Sequence, residues 1–299
     1  MSILVFQRFV RSEDAASRLI HRYRFGGGRP PVEGGRLPIV VCPQCETPRA
    51  YRLAEGRWRC GACRYTFGTT TGTWLGLCRL PAATWLWLIK LFELELVAQR
   101  AGLQLGLSYP TALRAFTTIR RAILADHDLE LLQREVEADE SYFGPRKSKR
   151  FRGGKVGRGA PGKIPVFGIL ERRGHVQVTV VRDVTAETLL RTTLKTVKRG
   201  SLVYTDKLHS YDTLTFCGYR HLRVDHGKQF SRPSAVGKVH INGLEGFWSY
   251  AKGKLQKHHG VSPSKFPLYL YEMQFRYNNR QHDLFDLLLK TLVKPVPDV

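Results

Sequence analysis

Acidic residues are scarce in this sequence. Its 299 residues hold 25 Asp and Glu against 48 Lys and Arg, a formal net charge of +23. That imbalance argues against an acidic interaction surface and for a polyanionic partner, nucleic acid first. Long apolar runs are missing too. The most apolar region, Trp74–Leu91, is broken by Arg79, Pro81 and Lys90 and makes a poor membrane span. No long amphipathic basic helix stands out, so no membrane partner is expected. No secretory leader is expected either, since the short apolar start gives way to Arg8, Arg11, Glu13 and Asp14. Cysteine is limited to six residues, four of them in a metal-like pattern, which fits a reducing compartment. That means the cytoplasm beside the nucleoid in a bacterium, or the nucleus in a eukaryote. What is present, 42% apolar residues over this length, suffices for two or three folded domains.

Residues 2–24 read as one short amphipathic helix, and the Gly- and Pro-rich stretch after it as a linker. Cys42-Pro-Gln-Cys45 and Cys60-Gly-Ala-Cys63 follow, with fourteen residues between the pairs. Each Cys-x-x-Cys turns two thiolates toward one point, and two such knuckles make a tetrahedral cage for a structural Zn²⁺. A disulfide pair or four incidental thiols are the other readings. Cys78 and Cys217 fit no pattern and are expected in the core.

Residues 81–125 read as helical. Gly106 makes a turn, Ser108 is a candidate N-cap and Pro110 suits a first helical turn. Helix, glycine turn and capped basic helix form the layout of a helix-turn-helix, with Arg114 and Arg120 as candidate DNA contacts. A plain helical hairpin has the same outline.

Glu135–Phe143, EVEADESYF, alternates as a half-buried strand, with Asp139 toward its end. A buried Asp is costly unless it is paired or binds a metal, although a surface Asp at a strand end would look the same. Residues 144–163 form a basic loop in which Arg146, Lys147 and Arg150 are candidate phosphate contacts. The pattern then predicts a hairpin of Ile164–Leu170 and Val176–Val181, a helix over Thr185–Val197 and a strand Leu202–Tyr204 running into Thr205–Asp206. A short helix over Ser210–Phe216, a strand His221–Val224, a helix from His240 to Leu255 and a long helix Pro267–Leu292 complete it. This order is the ribonuclease H-like α/β plan, which puts acids at the ends of central strands and on a packed helix. Here they are Asp139, Asp206 and Glu245. Phosphodiester chemistry gives three carboxylates a purpose: two Mg²⁺ (or Mn²⁺) ions about 3.5–4 Å apart clamp the attacking and leaving oxygens. Such hard ions prefer carboxylate oxygen. The expected domains are 1–35 (helix and linker), 36–72 (zinc ribbon), 73–130 (helix-turn-helix-like) and 131–299 (ribonuclease H-like, with a C-terminal helix).

ADESYFG around Asp139, VYTDKLHSY around Asp206 and HINGLEGFWSYAKGKL around Glu245 lie in that order behind the ribbon. Together they resemble the DDE transposases of small bacterial insertion sequences, in the ISXO-type group that carries an N-terminal zinc ribbon and is related to eukaryotic Merlin elements. The resemblance runs from the N-terminal helix to about residue 285 and includes the TGT after the ribbon. It implies Mg²⁺-dependent cutting of double-stranded DNA at the ends of a mobile element and joining of the freed 3′-hydroxyls to a target. Two ends must be held together, which implies at least a homodimer on DNA. By position, Asp139 and Asp206 match the first two acids and Glu245 the third. Asn242 or His240 is the alternative at the third position. Lys252 resembles the family's basic residue near the cut. Two further readings are a DNA-binding regulator with an inactive enzyme domain, and a ribonuclease H-like nuclease.

Overall fold

The computed structural model describes residues 1–27, 38–126, 130–144, 162–206, 214–223, 232–234, 237–239 and 241–297. The chain divides into two compact units, Met1–His127 with Asn279–Val299, and Asp128–Asn278. Among the described residues no helix is long and apolar enough to cross a membrane.

The first unit starts with two helices where the sequence suggests one, α1 (Ile3–Phe9) and α2 (Glu13–Phe25). Ser12 causes the break. Its backbone is extended and its hydroxyl accepts from the Ala15 amide at 3.1 Å, a side-chain cap that starts a new helix. Three short antiparallel strands follow, β1 (Ala50–Arg52), β2 (Trp58–Cys60) and β3 (Thr66–Phe67), in that order across a small sheet. Then come α3 (Ala82–Glu93), α4 (Ala98–Leu105) and α5 (Tyr109–Ala125). Gly106 sits in the left-handed region (φ 63°) between α4 and α5, and Ser108 caps α5 by accepting from Thr111. The expected helix, turn and capped helix are therefore all present. Phe92 of α3 meets Phe116 of α5 edge to face at 5.1 Å.

The second unit is built on a five-stranded sheet. Its strands are β4 (Glu135–Phe143), β5 (Ile164–Glu171), β6 (Val176–Val180), β7 (Leu202–Thr205) and β8 (Arg220–Arg223), in the order β6-β5-β4-β7-β8. The β6, β5 and β4 strands run antiparallel, whereas β4, β7 and β8 run parallel. The step from β4 to β7 requires a crossover, and α6 (Ala186–Thr196) supplies its helix, capped by Thr185. This is the ribonuclease H-like topology. A separate hairpin, β9 (Arg232–Ser234) with β10 (Gly237–Val239), was not evident in the sequence. After it come α7 (Asn242–Gln256) and α8 (Phe266–Asn278). The long helix expected over Pro267–Leu292 is two, because Asp283 caps α9 (Leu284–Leu292) by accepting from Asp286 at 3.2 Å. The two halves fall in different units, α8 with the sheet and α9 with the N-terminal helices.

Strand alternation sorts the two faces of the sheet. Val136 and Ala138 join Phe167, Val203 and Leu189 of α6 in one core. On the other face Phe143, Val166 and Val178 pack under Leu244, Phe247, Trp248 and Ala251 of α7 and Leu270 and Met273 of α8. Each such large apolar side chain contributes about 1.5–3 kcal/mol on burial. Along β6, Asn278 and Gln274 of α8 bind the strand's outer backbone: Asn278 takes both the amide and the carbonyl of Val176, at 2.8 and 2.9 Å, and Gln274 accepts from the Val178 amide at 2.8 Å. Gly168 of β5, paired with Asp139, lies directly beneath the Trp248 indole. A Cβ there would sit 2.6 Å from two ring carbons. Gly168→Ala is therefore expected to destabilise the unit by about 1–3 kcal/mol, read as a lower denaturation midpoint at neutral pH.

Candidate functional site

In the ribbon, the backbone builds the same turn twice. The amide of Glu46 returns to Cys42 O (2.9 Å) and that of Arg64 to Cys60 O (3.2 Å). Each of these residues follows the second cysteine of its pair and takes a positive φ (56° and 63°). The amides of Cys42 and Cys60 then bind the carbonyls of Thr47 and Tyr65, closing both knuckles. The four sulfurs converge within 4.8 Å of one another, with Cys42–Cys63 at 3.6 Å and Cys45–Cys60 at 3.5 Å. A disulfide would need about 2.05 Å. Tetrahedral Zn–S bonds of about 2.3 Å place sulfurs roughly 3.8 Å apart. The spacing fits zinc and rules out the disulfide reading. The thiols shift in opposite senses: hydrogen bonds with the Thr47 hydroxyl and amide bring Cys45 down to about 6, whereas Cys63, despite the Tyr65 amide, is pushed up to about 12 by burial and the neighbouring thiols, so the cluster resists full ionisation until a cation binds it.

The acids come from three elements of the second unit. Asp139 lies on the α7 face of β4, because alternation puts it with Glu137 and Phe143 and opposite Ala138. Ala138 pairs with Thr205 in the parallel ladder, so Asp206 follows β7 at the level of Asp139. The buried Thr205 hydroxyl donates to Asp206 O at 2.8 Å and lies 2.8 Å from His221 Nε2, which fixes the strand end. Glu245 is exposed in the first turn of α7, and its amide makes an early helical bond to Ile241 O at 3.1 Å.

Their electrostatics meet at Asp139. Its carboxyl is pushed up to about 6, by burial first and also by the like charges of Asp206 and Glu245. Hydrogen bonds from the Trp248 indole (Nε1 to Oδ2, 3.0 Å) and the Glu140 amide oppose the rise. Among the described residues, only the four cysteines form a group of three or more candidate ligands all within 4.8 Å of one another. The three acids are spaced more widely.

The basic candidates separate by burial. Arg114 is exposed on α5. Arg120 is buried, 2% exposed, with its guanidinium 5.3 Å from the Phe92 ring centre, because the helical period turns it inward rather than toward a surface ligand. Lys252 is exposed on α7, 5.6 Å from the Phe143 ring centre. Its pKa is lowered by burial of its stem and by the Lys163 charge, and raised by Asp139, so both charges lie close to it. Arg146, Lys147, Arg150 and His240 lie outside the described residues. Two residues near the acids were missed in the sequence. Trp248 reads as core filler, yet it follows Glu245 by one helical step, and that spacing was the available signal. Glu137 precedes Asp139 by two, the strand period that puts both on one face.

The ISXO2-like transposase domain matches residues 131–278, and the transposase zinc-ribbon domain matches 11–66. An uncharacterized transposase-like protein of Haemophilus influenzae is 40% identical over 119 residues, 40% of this chain and 94% of that protein. The chain belongs to the ISXO2-like transposase family. An uncharacterized protein in a transposable element of Halobacterium salinarum, ISH50, is 26% identical over 290 residues, 89% of this chain and 90% of that one. Among solved structures, the Mos1 mariner paired end complex with Mn gives a TM-score of 0.29 at 12% identity, covering 69% of this chain and 74% of that chain. The Mos1 strand transfer complex gives 0.27 at 12% identity, covering 69% and 73%. Both likenesses are distant, and the strand order carries the fold assignment. The protein is thus a DDE-type transposase with an N-terminal zinc ribbon.

Two outcomes are expected of this transposase. Cys60→Ser will lose the bound zinc, seen by metal analysis, and open residues 38–67 to limited proteolysis. The second concerns Asp139. The fold raises its pKa from 3.8 to about 6, so its contribution to stability is present at low pH and is lost as pH rises through that window. Zinc-loaded Asp139→Asn, without added Mg²⁺ or Mn²⁺, should therefore be more stable than wild type by roughly 2 kcal/mol at pH 8 and nearly equal to it at pH 4. Denaturant melts at the two pH values measure the difference.

Proposed function

We propose that the transposase cuts double-stranded DNA at the ends of its element and joins the freed 3′-hydroxyls to target DNA, using Mg²⁺ or Mn²⁺ held by Asp139, Asp206 and Glu245. The observation that carries this reading is the half-buried Asp139 carboxyl, whose pKa is raised by burial and by the like charges of the other two acids. Like charges kept near one another in a partly dry site favour a cation among them. Carboxylate oxygens are the donors these hard ions prefer, and phosphodiester transfer commonly uses a pair of them. Bound there, the pair of ions would stabilise the charge on the attacked phosphate.

The remaining work belongs to the chain. The Trp248 indole and the Glu140 amide both bind the Asp139 carboxyl and fix its orientation. Lys252 and Lys163 put positive charge beside the acids, where a scissile phosphate would approach. Asn242, exposed at the start of α7, is a second-choice ligand because an amide binds these ions less well than a carboxylate. Arg114 on the capped helix would contact the DNA backbone and add salt dependence to binding. Two element ends must be held at once, which calls for at least two copies of the chain on DNA.

The test uses a supercoiled plasmid carrying the inverted repeats that flank the coding sequence. Wild type with Mg²⁺ should give excised ends and insertion products. Asp139→Asn, Asp206→Asn and Glu245→Gln should each lower joining roughly a thousandfold or more while still binding the ends in a gel shift. Cleavage without joining would identify a nuclease instead, and wild-type joining by Asp139→Asn would remove Asp139 from the metal site.

A further inference from the structure

We infer that Glu137 is a positioning residue that sets the spacing of the three acids. It lies on β4 two residues before Asp139 and is 1% exposed. A carboxylate buried so deeply needs strong partners. One oxygen accepts from the Leu244 amide at 3.0 Å, and the other from Arg172 Nε at 3.2 Å. Leu244 lies in the first turn of α7, whose leading amides have no partners within the helix. The residue at the cap position, Ile241, makes no side-chain cap bond. A carboxylate from the strand below supplies one instead, and it favours the positive end of the helix dipole.

Gly243 makes the contact possible. A Cβ at that position would lie 3.0 Å from Glu137 Oε2 and 3.1 Å from Leu170 Cδ2, so a bare backbone lets the turn settle on the carboxylate without displacing it. Arg172 carries the link further. Its guanidinium donates to Glu135 at 3.0 Å and lies 3.7 Å from the centre of the Tyr204 ring, whose hydroxyl donates to Glu135 at 3.0 Å. The network therefore ties together the three elements that carry the acids. Glu137 is two residues before Asp139 on β4, Tyr204 is two before Asp206 on β7, and Leu244 is adjacent to Glu245 on α7. Shifting Glu137 moves the start of α7, and Glu245 with it, relative to the sheet.

This inference rests on the reading of Asp139, Asp206 and Glu245 as metal-holding acids, and its test separates the two. Mn²⁺ binding to the zinc-loaded full-length protein is measured by titration calorimetry for wild type, Asp139→Asn and Glu137→Gln, beside Mn²⁺-dependence curves for end cleavage. Glu137→Gln keeps an oxygen for the Leu244 amide and removes the charge that faces Arg172. It should weaken Mn²⁺ binding about tenfold, with cleavage recovering as Mn²⁺ is raised. Its affinity for end DNA, with zinc retained and no added Mn²⁺, should stay at the wild-type level. Wild-type Mn²⁺ affinity together with a lower melting temperature would reduce Glu137 to a purely structural role and overturn the inference. Unchanged Mn²⁺ binding by Asp139→Asn would instead overturn the reading of the acids. Should Glu137→Gln fail to fold, Gly243→Ala disturbs the same contact without removing a charge. It should shift Mn²⁺ binding in the same direction, and an unshifted value would overturn the inference.

Discussion

The docking of α7 on the face of β4 is the constraint on which the second unit depends. That face carries Glu137 and Asp139, and a carboxylate facing an apolar helix resists burial unless its oxygens are satisfied. The helix meets this demand at two points one turn apart. Its leading backbone binds Glu137 and its indole at Trp248 binds Asp139. Between and beyond these polar contacts, Leu244, Phe247 and Ala251 seal the interface against β5 and β6. Polar anchors set the register and apolar packing supplies most of the free energy, so the helix can dock in one position only. The lack of a side chain at Gly168 belongs to the same arrangement, because the indole needs the space above that residue.

Family membership and local chemistry rest on separate observations. The matched domains place the chain among ISXO2-like transposases without reference to any contact. The contacts describe a ribbon whose sulfurs have the spacing of a zinc cage, and a sheet whose central strand holds an acid under electrostatic pressure from two others. The two sites differ in kind. The ribbon offers four soft thiolates at one point, a closed site that suits structure. The acids are spread over three elements and partly open, which is compatible with the role proposed for them.

Much of this was legible in the sequence because its signals are local. The cysteine spacing, the alternation through Glu135–Phe143 and the glycine and cap around Gly106 and Ser108 each act over a few residues. The order of strands and helices was also readable, since antiparallel hairpins and helical crossovers leave different patterns. The misreadings arose where tertiary contacts decide. Ser12 and Asp283 interrupt apolar periods that continue on both sides of them, and a helical wheel does not weigh a cap against such a period. Arg120 reads as a surface cation because its charge dominates the sequence, whereas its place on the helix turns it toward Phe92. Glu137 and Trp248 escaped notice because each matters through a partner about a hundred positions away in the chain.

The outer margin of the sheet at β6 has a consequence for how copies of the chain can meet. A bare outermost strand is an invitation to pair with another strand, and many proteins assemble or aggregate in this way. Here the outward amide and carbonyl of Val176 and the amide of Val178 are already bound by carboxamides from α8. That side of the sheet therefore cannot be extended by a neighbouring molecule at these positions without first undoing the helix. Any association between copies of the chain leaves these positions of β6 unused.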